Sequence, residues 1–212
     1  MKKLLAAAVL AAMSVGSANA ALSFNNAEQT TEINQSGFLD LFDANLGTLT
    51  GVTLTLSGRE TTSFTLSSTA AQSQNLKADS TVNLFFATSL AGLDLAPANL
   101  ILTAGTGFVT LASGATNSYG PLTASDSTVL TPLTSLFSVA GGGSFSITCE
   151  SLSGFSVLGA GGNIQSTQNT TAGCGASIVY DYTPTTTNVP EPASMALVGL
   201  GMMGLAAIRR RK

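Results

Sequence analysis

Between Ala21 and Asn188 the side chains able to do chemistry are ten carboxylates, two cysteines and two cations, and the whole chain has no histidine and no tryptophan. Without imidazole there is no Ser-His-Asp or Cys-His mechanism, no usual zinc ligand set and no common general base near neutral pH. What is left is carboxylate and thiol chemistry. Asp40 and Asp43 lie three residues apart near a turn and could give oxygen ligands to calcium. No Asp-x-Asp-x-Asp-Gly loop surrounds them, and turn-forming, solvated acids account for the same spacing. As a glycosidase pair, two acids would have to face each other across a cleft, and the spacing of the ten singles out no pair. The expectation is therefore no cofactor, no enzyme activity and no metal site, with Asp40 and Asp43 as weak calcium candidates.

Cys149 and Cys174 form an even pair, and if the chain leaves the reducing cytosol they read as one disulfide. Closing a loop of about 26 residues would stabilise the fold by roughly 3.5 kcal/mol on the chain-entropy model. Two free thiols and a redox pair are the alternatives; the spacing lacks the Cys-x-x-Cys pattern and an adjacent base. Gly141-Gly142-Gly143 and Gly159-Ala160-Gly161-Gly162 have the look of phosphate cradles, but neither opens a helix or precedes a Lys-Ser/Thr pair, so both read as turns. Arg59 and Lys77 face ten carboxylates in the same segment, a net charge of −8, which repels nucleic acid and anionic membrane surfaces. Phe85-Phe86 and the Tyr180/Tyr182 pair fit sheet positions and read as packing groups before ligand-stacking ones.

The elements that must position these residues are strands. Apolar residues recur with period two, most clearly over 51–57, where Val52, Leu54 and Leu56 share one face and threonines the other. Similar runs occupy 63–66, 81–86, 100–103, 107–111, 144–148, 155–158 and 176–182, separated by polar or Gly/Pro-containing segments. No middle segment has a helical stripe. The fold class expected is all-β, a β-sandwich or jelly-roll-like domain, because each strand has one face to bury. About 170 residues suffice for one such domain. Two stretches read as less ordered, 160–173 and the Thr-rich 183–188, the latter as a linker beyond a domain spanning 21–182.

The two ends carry addresses. Met1-Lys2-Lys3, an apolar stretch from Leu4 to Met13, and the small-residue site Ala18-Asn19-Ala20 make residues 1–20 a secretory signal peptide with cleavage before Ala21, which implies the Sec machinery and signal peptidase as partners. At the other end, Val189-Pro190-Glu191-Pro192 precedes an apolar run over 193–208 that stops at Arg209-Arg210-Arg211-Lys212. Cations after an apolar run act as a stop-transfer signal, held on the cytoplasmic side. A helix over 193–208 would be roughly 24 Å long, short of the roughly 30 Å hydrocarbon core, and Gly199, Gly201 and Gly204 weaken it further. A weak span suits a segment that is later removed.

This tail, 189–212, resembles the PEP-CTERM sorting signal in the order of its parts. The resemblance implies recognition by exosortase, a membrane cysteine protease-transpeptidase that cuts at the motif, transient membrane anchoring, a Gram-negative-type bacterium, and association with exopolysaccharide. The stretch Phe38-Leu39-Asp40-Leu41-Phe42-Asp43-Ala44-Asn45-Leu46-Gly47-Thr48-Leu49 in turn resembles the choice-of-anchor E domain, with Ala44 where that family often has proline. That likeness implies a β-rich exported module of no established activity. The expectation is an exported, exosortase-sorted cell-surface or matrix protein of structural character in an exopolysaccharide or biofilm setting. The rivals are a carbohydrate- or calcium-binding adhesion module and a polysaccharide-active enzyme working with carboxylates alone.

Overall fold

A computed structural model describes residues 18–159 and 161–185. The strands are β1 (Ala18–Asn25), β2 (Gln29–Thr30), β3 (Asn34–Asp40), β4 (Phe42–Asp43), β5 (Gly47–Ser68), β6 (Gln74–Thr88), β7 (Leu100–Gly105), β8 (Val109–Leu111), β9 (Thr116–Leu130), β10 (Ser138–Val139), β11 (Ser144–Leu158) and β12 (Ile164–Pro184). Two short 3-10 turns, Ala96–Ala98 and Thr134–Leu136, are the only helical pieces among the described residues. One sheet runs β1-β12-β5-β9 with β2 against β12; the other runs β3-β11-β6-β7 with β8 against β6. Every pairing within the two large sheets is antiparallel, and they face each other as a sandwich-like pair.

Strict alternation builds this architecture. Along β5, Val52, Leu54, Leu56, Phe64 and Leu66 are buried while the intervening threonines and serines lie nearer solvent, the pattern of a strand with one face on a core. Across the interior, Leu84, Leu100, Leu102 and Ile147 come from the second sheet into the same cluster. A smaller cluster, Phe64, Leu66, Leu76, Ala78 and Leu111, occupies the far end.

The strands are longer than periodicity alone suggests. The expected pieces 51–57 and 63–66 are one strand of 22 residues, joined through Gly58-Arg59-Glu60-Thr61-Thr62, where the inward Glu60 interrupts the apolar period. Residues 144–148 and 155–158 likewise join in β11. The expectation of looseness over 160–173 is corrected: 164–173 is the first half of β12, its polar residues paired with 59–68. Thr183 and Pro184 also pair, with Thr48 and Gly47, so the first residues of the expected linker belong to β12. Strand β9 lacks apolar alternation and contains Pro121; it sits at a sheet edge, where a missing N–H is tolerated, opposite a register skip between Thr62 and Phe64.

Leu54 is fully buried whereas Thr53 lies on the opposite side of the same strand. Leu54→Ala is expected to cost about 2–5 kcal/mol in denaturant unfolding, and Thr53→Ala less than about 1 kcal/mol. Equal costs would contradict the assigned faces.

Candidate functional site

The start and the end of the described chain meet at one pole of the sandwich. In β1, Ala18, Ala20 and Ala21 pair with Tyr182, Tyr180 and Val179 of β12, so the start and the end of the described chain lie side by side. β12 then ends at Pro184, and the Thr185 amide donates to the Leu46 carbonyl at 3.0 Å. Residues 1–17 of the expected signal peptide, the sorting motif Val189 to Pro192, the apolar run and the expected basic stop Arg209, Arg210, Arg211 and Lys212 lie outside the described residues. Among the described residues no helix is long and apolar enough to cross a membrane.

The stretch 38–49 lies at this pole, and several of its residues hold it closed. Phe42 is buried, and its ring meets those of Tyr180 and Tyr182 at centroid distances of 5.9 and 5.0 Å. Tyr180 donates its hydroxyl to the Asp40 carbonyl at 2.8 Å, and burial, with the Asp40 charge nearby, pushes its own ionisation upward. Asp43 Oδ1 accepts the backbone amides of Asn45 at 2.9 Å and Gly141 at 2.8 Å, which hold its carboxyl below the usual range, the Asn45 amide most. It thereby ties the turn before β5 to the Gly141-Gly142-Gly143 turn, whose residues have positive φ and so need glycine. A Cβ on Gly47 would strike the Thr183 carbonyl, so glycine there lets the two backbones meet. Asp40 and Asp43, the calcium candidates, thus serve in this closure through a carbonyl and a carboxylate. Among the described residues no group of three or more Cys, Asp or Glu gathers as a metal site.

Cys149 of β11 and Cys174 of β12 come together from opposite sheets, each about 1% exposed. The structure carries them as thiols in contact, where the sequence led us to expect a bond. Cys149 hydrogen-bonds Cys174, which raises the Cys149 ionisation and lowers that of Cys174; burial also pushes Cys149 up. The Cys174 thiol points at Gln35 Oε1, 3.6 Å away, and Gln35 donates to the Ala27 carbonyl at 2.7 Å.

A shallow groove of about 420 Å³ runs over β5 and β9, lined by Ser57, Gly58, Arg59, Ser125, Asp126 and Ser127. Arg59 is committed to the chain itself, with Glu28 Oε1 at 3.2 Å and further hydrogen bonds to the Asn25 side chain and the Asn26 carbonyl. Other carboxylates also serve locally: Glu32 accepts from Ser153, Glu150 from Asn34, and Asp79 pairs with Lys77 at 2.7 Å. Sequence reading missed two polar residues that matter to the interior. Gln35 and Glu60 both stand at inward positions of strands, and that parity was the available signal.

Residues 188–212 match the family described as the PEP-CTERM protein-sorting motif. This tail implies exosortase as processing partner, export, and a cell-surface or extracellular destination. No curated protein matches the chain. Among solved structures, similarity extends to the "T13 IBDV viral particle", at 12% identity and TM-score 0.21, covering 98% of this chain and 51% of that one, so the chain spans about half its length. A Desmodium yellow mottle tymovirus structure gives 7% identity and TM-score 0.24, covering 89% of this chain and 98% of that one. The parasporin-2 toxin of Bacillus thuringiensis gives 15% identity and TM-score 0.16, covering 76% and 67%. Scores this low carry no argument about fold or function.

Two thiols in contact across the sandwich need little movement to bond. Refolding the full chain in oxidised and reduced glutathione, where the disulfide reagent takes up both electrons and both protons, is expected to yield a chain lighter by two hydrogens and linked between Cys149 and Cys174. That form should unfold at higher denaturant than Cys149→Ser, by up to roughly 3.5 kcal/mol. Recovery of free thiols or of a glutathione adduct alone would contradict the expectation.

Proposed function

We propose that the chain is a non-catalytic cell-surface or matrix protein, delivered through the Sec route, held transiently by its tail and released or transferred by exosortase into an exopolysaccharide-rich layer. The observation that carries this reading is the sorting motif at 188–212. The domain above it, on the strength of 38–49, is a choice-of-anchor E-type module, stapled in its exported form by a Cys149–Cys174 disulfide. Two features suit such a role. Both described ends leave one pole, so a chain tethered there would hold its opposite loops, 69–73, 112–115 and 161–163, away from the membrane. A strand of 22 residues makes that separation roughly 70 Å.

In the precursor, Ala18 to Ala20 belong to β1. Signal peptidase reads its site as an unpaired segment, so cleavage before Ala21 has to come before β1 closes on β12. The mature strand then starts at Ala21 and keeps Leu22 and Phe24 on the core.

A carbohydrate-binding adhesion module is the second reading. The hydroxyl-lined groove over β5 and β9 favours it, since Ser57, Ser125 and Ser127 offer donors and acceptors while Arg59 is already paired. Saturable binding of a neutral polysaccharide would bring it forward. A carboxylate-only enzyme is less well supported. The carboxyl with a catalytic-range ionisation, Glu60, lies sealed between the sheets where no polymer reaches.

The test is the intact mass of the mature protein from its native host, beside a variant with Pro190, Glu191 and Pro192 all replaced by alanine. The expected wild type lacks residues beyond the motif, while the variant stays unprocessed in the membrane fraction. A wild-type mass that retains Arg209 to Lys212 would leave a plain single-span anchor in place of a sorting signal.

A further inference from the structure

The core is interrupted at its waist. Between the large apolar cluster and the smaller one lies a belt of polar side chains, Glu60 and Thr62 of β5, Ser80 of β6, and Gln168 and Thr170 of β12. The belt is internally bonded. Thr62 and Thr170 hydroxyls lie 2.7 Å apart, Ser80 and Thr170 hydroxyls 3.3 Å apart, and the Gln168 amide donates to Ser80 at 2.8 Å and also to Thr170. Glu60 is the exception. It has no exposed surface, and neither carboxylate oxygen has a hydrogen-bond partner.

We propose that Glu60 and this hydroxyl belt form a proton-operated latch: with the carboxyl protonated the two sheets close at the waist, and with it ionised the waist takes up water and the fold loosens.

The surroundings supply no counter-charge. On β5 the inward neighbours are Gly58 and Thr62; on β12, Ala172 sits opposite, flanked by Thr170 and Cys174. On β9, Ala124 sits opposite Glu60, with Asp126 on the same side two residues on, exposed and bonded to the Ser127 amide. From the second sheet, β6 brings Ser80, with Lys77 and Asp79 paired to each other at an intervening parity, and β7 brings Ala104. The titratable groups on the interior side are thus Cys174, with Cys149 behind it, and the edge carboxylate Asp126. Arg59 is the next residue in sequence but points outward to Glu28. An isolated carboxylate in such a place is costly, whereas the neutral acid can donate one hydrogen bond and accept others.

The balance agrees in sign with the geometry. Burial raises the Glu60 ionisation from an ordinary 4.5 to about 7, and the nearby Ala104 amide and Ser80 hydroxyl offset only part of that. The folded chain therefore binds this proton more tightly than the unfolded chain does. The stabilisation is complete below about pH 4.5 and is lost as pH rises through about 7, a change of about 300-fold in the folding equilibrium. With no histidine in the chain, few other groups titrate in that window.

The test follows denaturant unfolding of the full chain from pH 5 to 8.5 for wild type and Glu60→Gln. The wild-type folding equilibrium should weaken by about two orders of magnitude, steepest near pH 6 and levelling off above about pH 8, while Glu60→Gln stays flat. Parallel pH profiles would overturn the latch. Because the variant could fail to fold, wild-type carboxyl carbons are also titrated by 13C NMR. One glutamate titrating near pH 7 supports the proposal, and all glutamates titrating below about pH 5.5 overturn it.

Discussion

The long antiparallel ladder between β5 and β12 is the constraint on which the rest of this molecule depends. Over 164–184 it pairs with 47–68 almost without interruption, with one register shift beside Tyr182. Such a ladder fixes side-chain parity over its whole length, since a slip of one residue would turn every inward residue outward. The alternation of Leu and Val with Thr and Ser along β5 makes that slip costly, as it would expose Leu54, Leu56 and Leu66 and bury their hydroxyl-bearing neighbours. The ladder also brings Cys174 to the face where Cys149 waits, and leaves the C-terminal end of β12 beside the N-terminal end of β1.

Most polar residues at interior positions of these long sheets satisfy one another. The Thr62, Ser80, Gln168 and Thr170 belt does so, and Gln35 does the same across the gap near Cys174. Glu60 does not, and its burial without a partner raises its ionisation to about 7. At the pole the same logic takes a different form: Asp43 and Gly47, unremarkable in composition, are held by two backbone amides and by a close backbone approach.

How much of this was legible in the sequence depends on the kind of signal. Val52, Leu54 and Leu56 announced a half-buried strand by period, and the sandwich followed from several such runs. The continuation through Arg59 and Glu60 was illegible because a buried carboxyl breaks the alternation that marks a strand. The first half of β12 was hidden for a related reason: Gln168 and Thr170 are polar yet face the interior. Strand β9 depends on its neighbour β5 and shows little pattern of its own. The pair Cys149 and Cys174 could be named by count, while their meeting across two sheets needed the topology. The sorting tail was legible because its meaning lies in a local order of residues that no fold has to assemble.

The ladder and the pole it creates can be measured directly. Spin labels at residues 162 and 185 of the full chain, in a Cys149→Ser, Cys174→Ser background, report the length of β12, and labels at 23 and 177 report the closeness of β1 to β12. The account predicts roughly 60–70 Å for the first pair and the shortest measurable separation for the second, since Ser23 lies directly opposite Ser177. A first distance under roughly 40 Å, or a second one comparable to it, would contradict a continuous ladder with both ends at one pole.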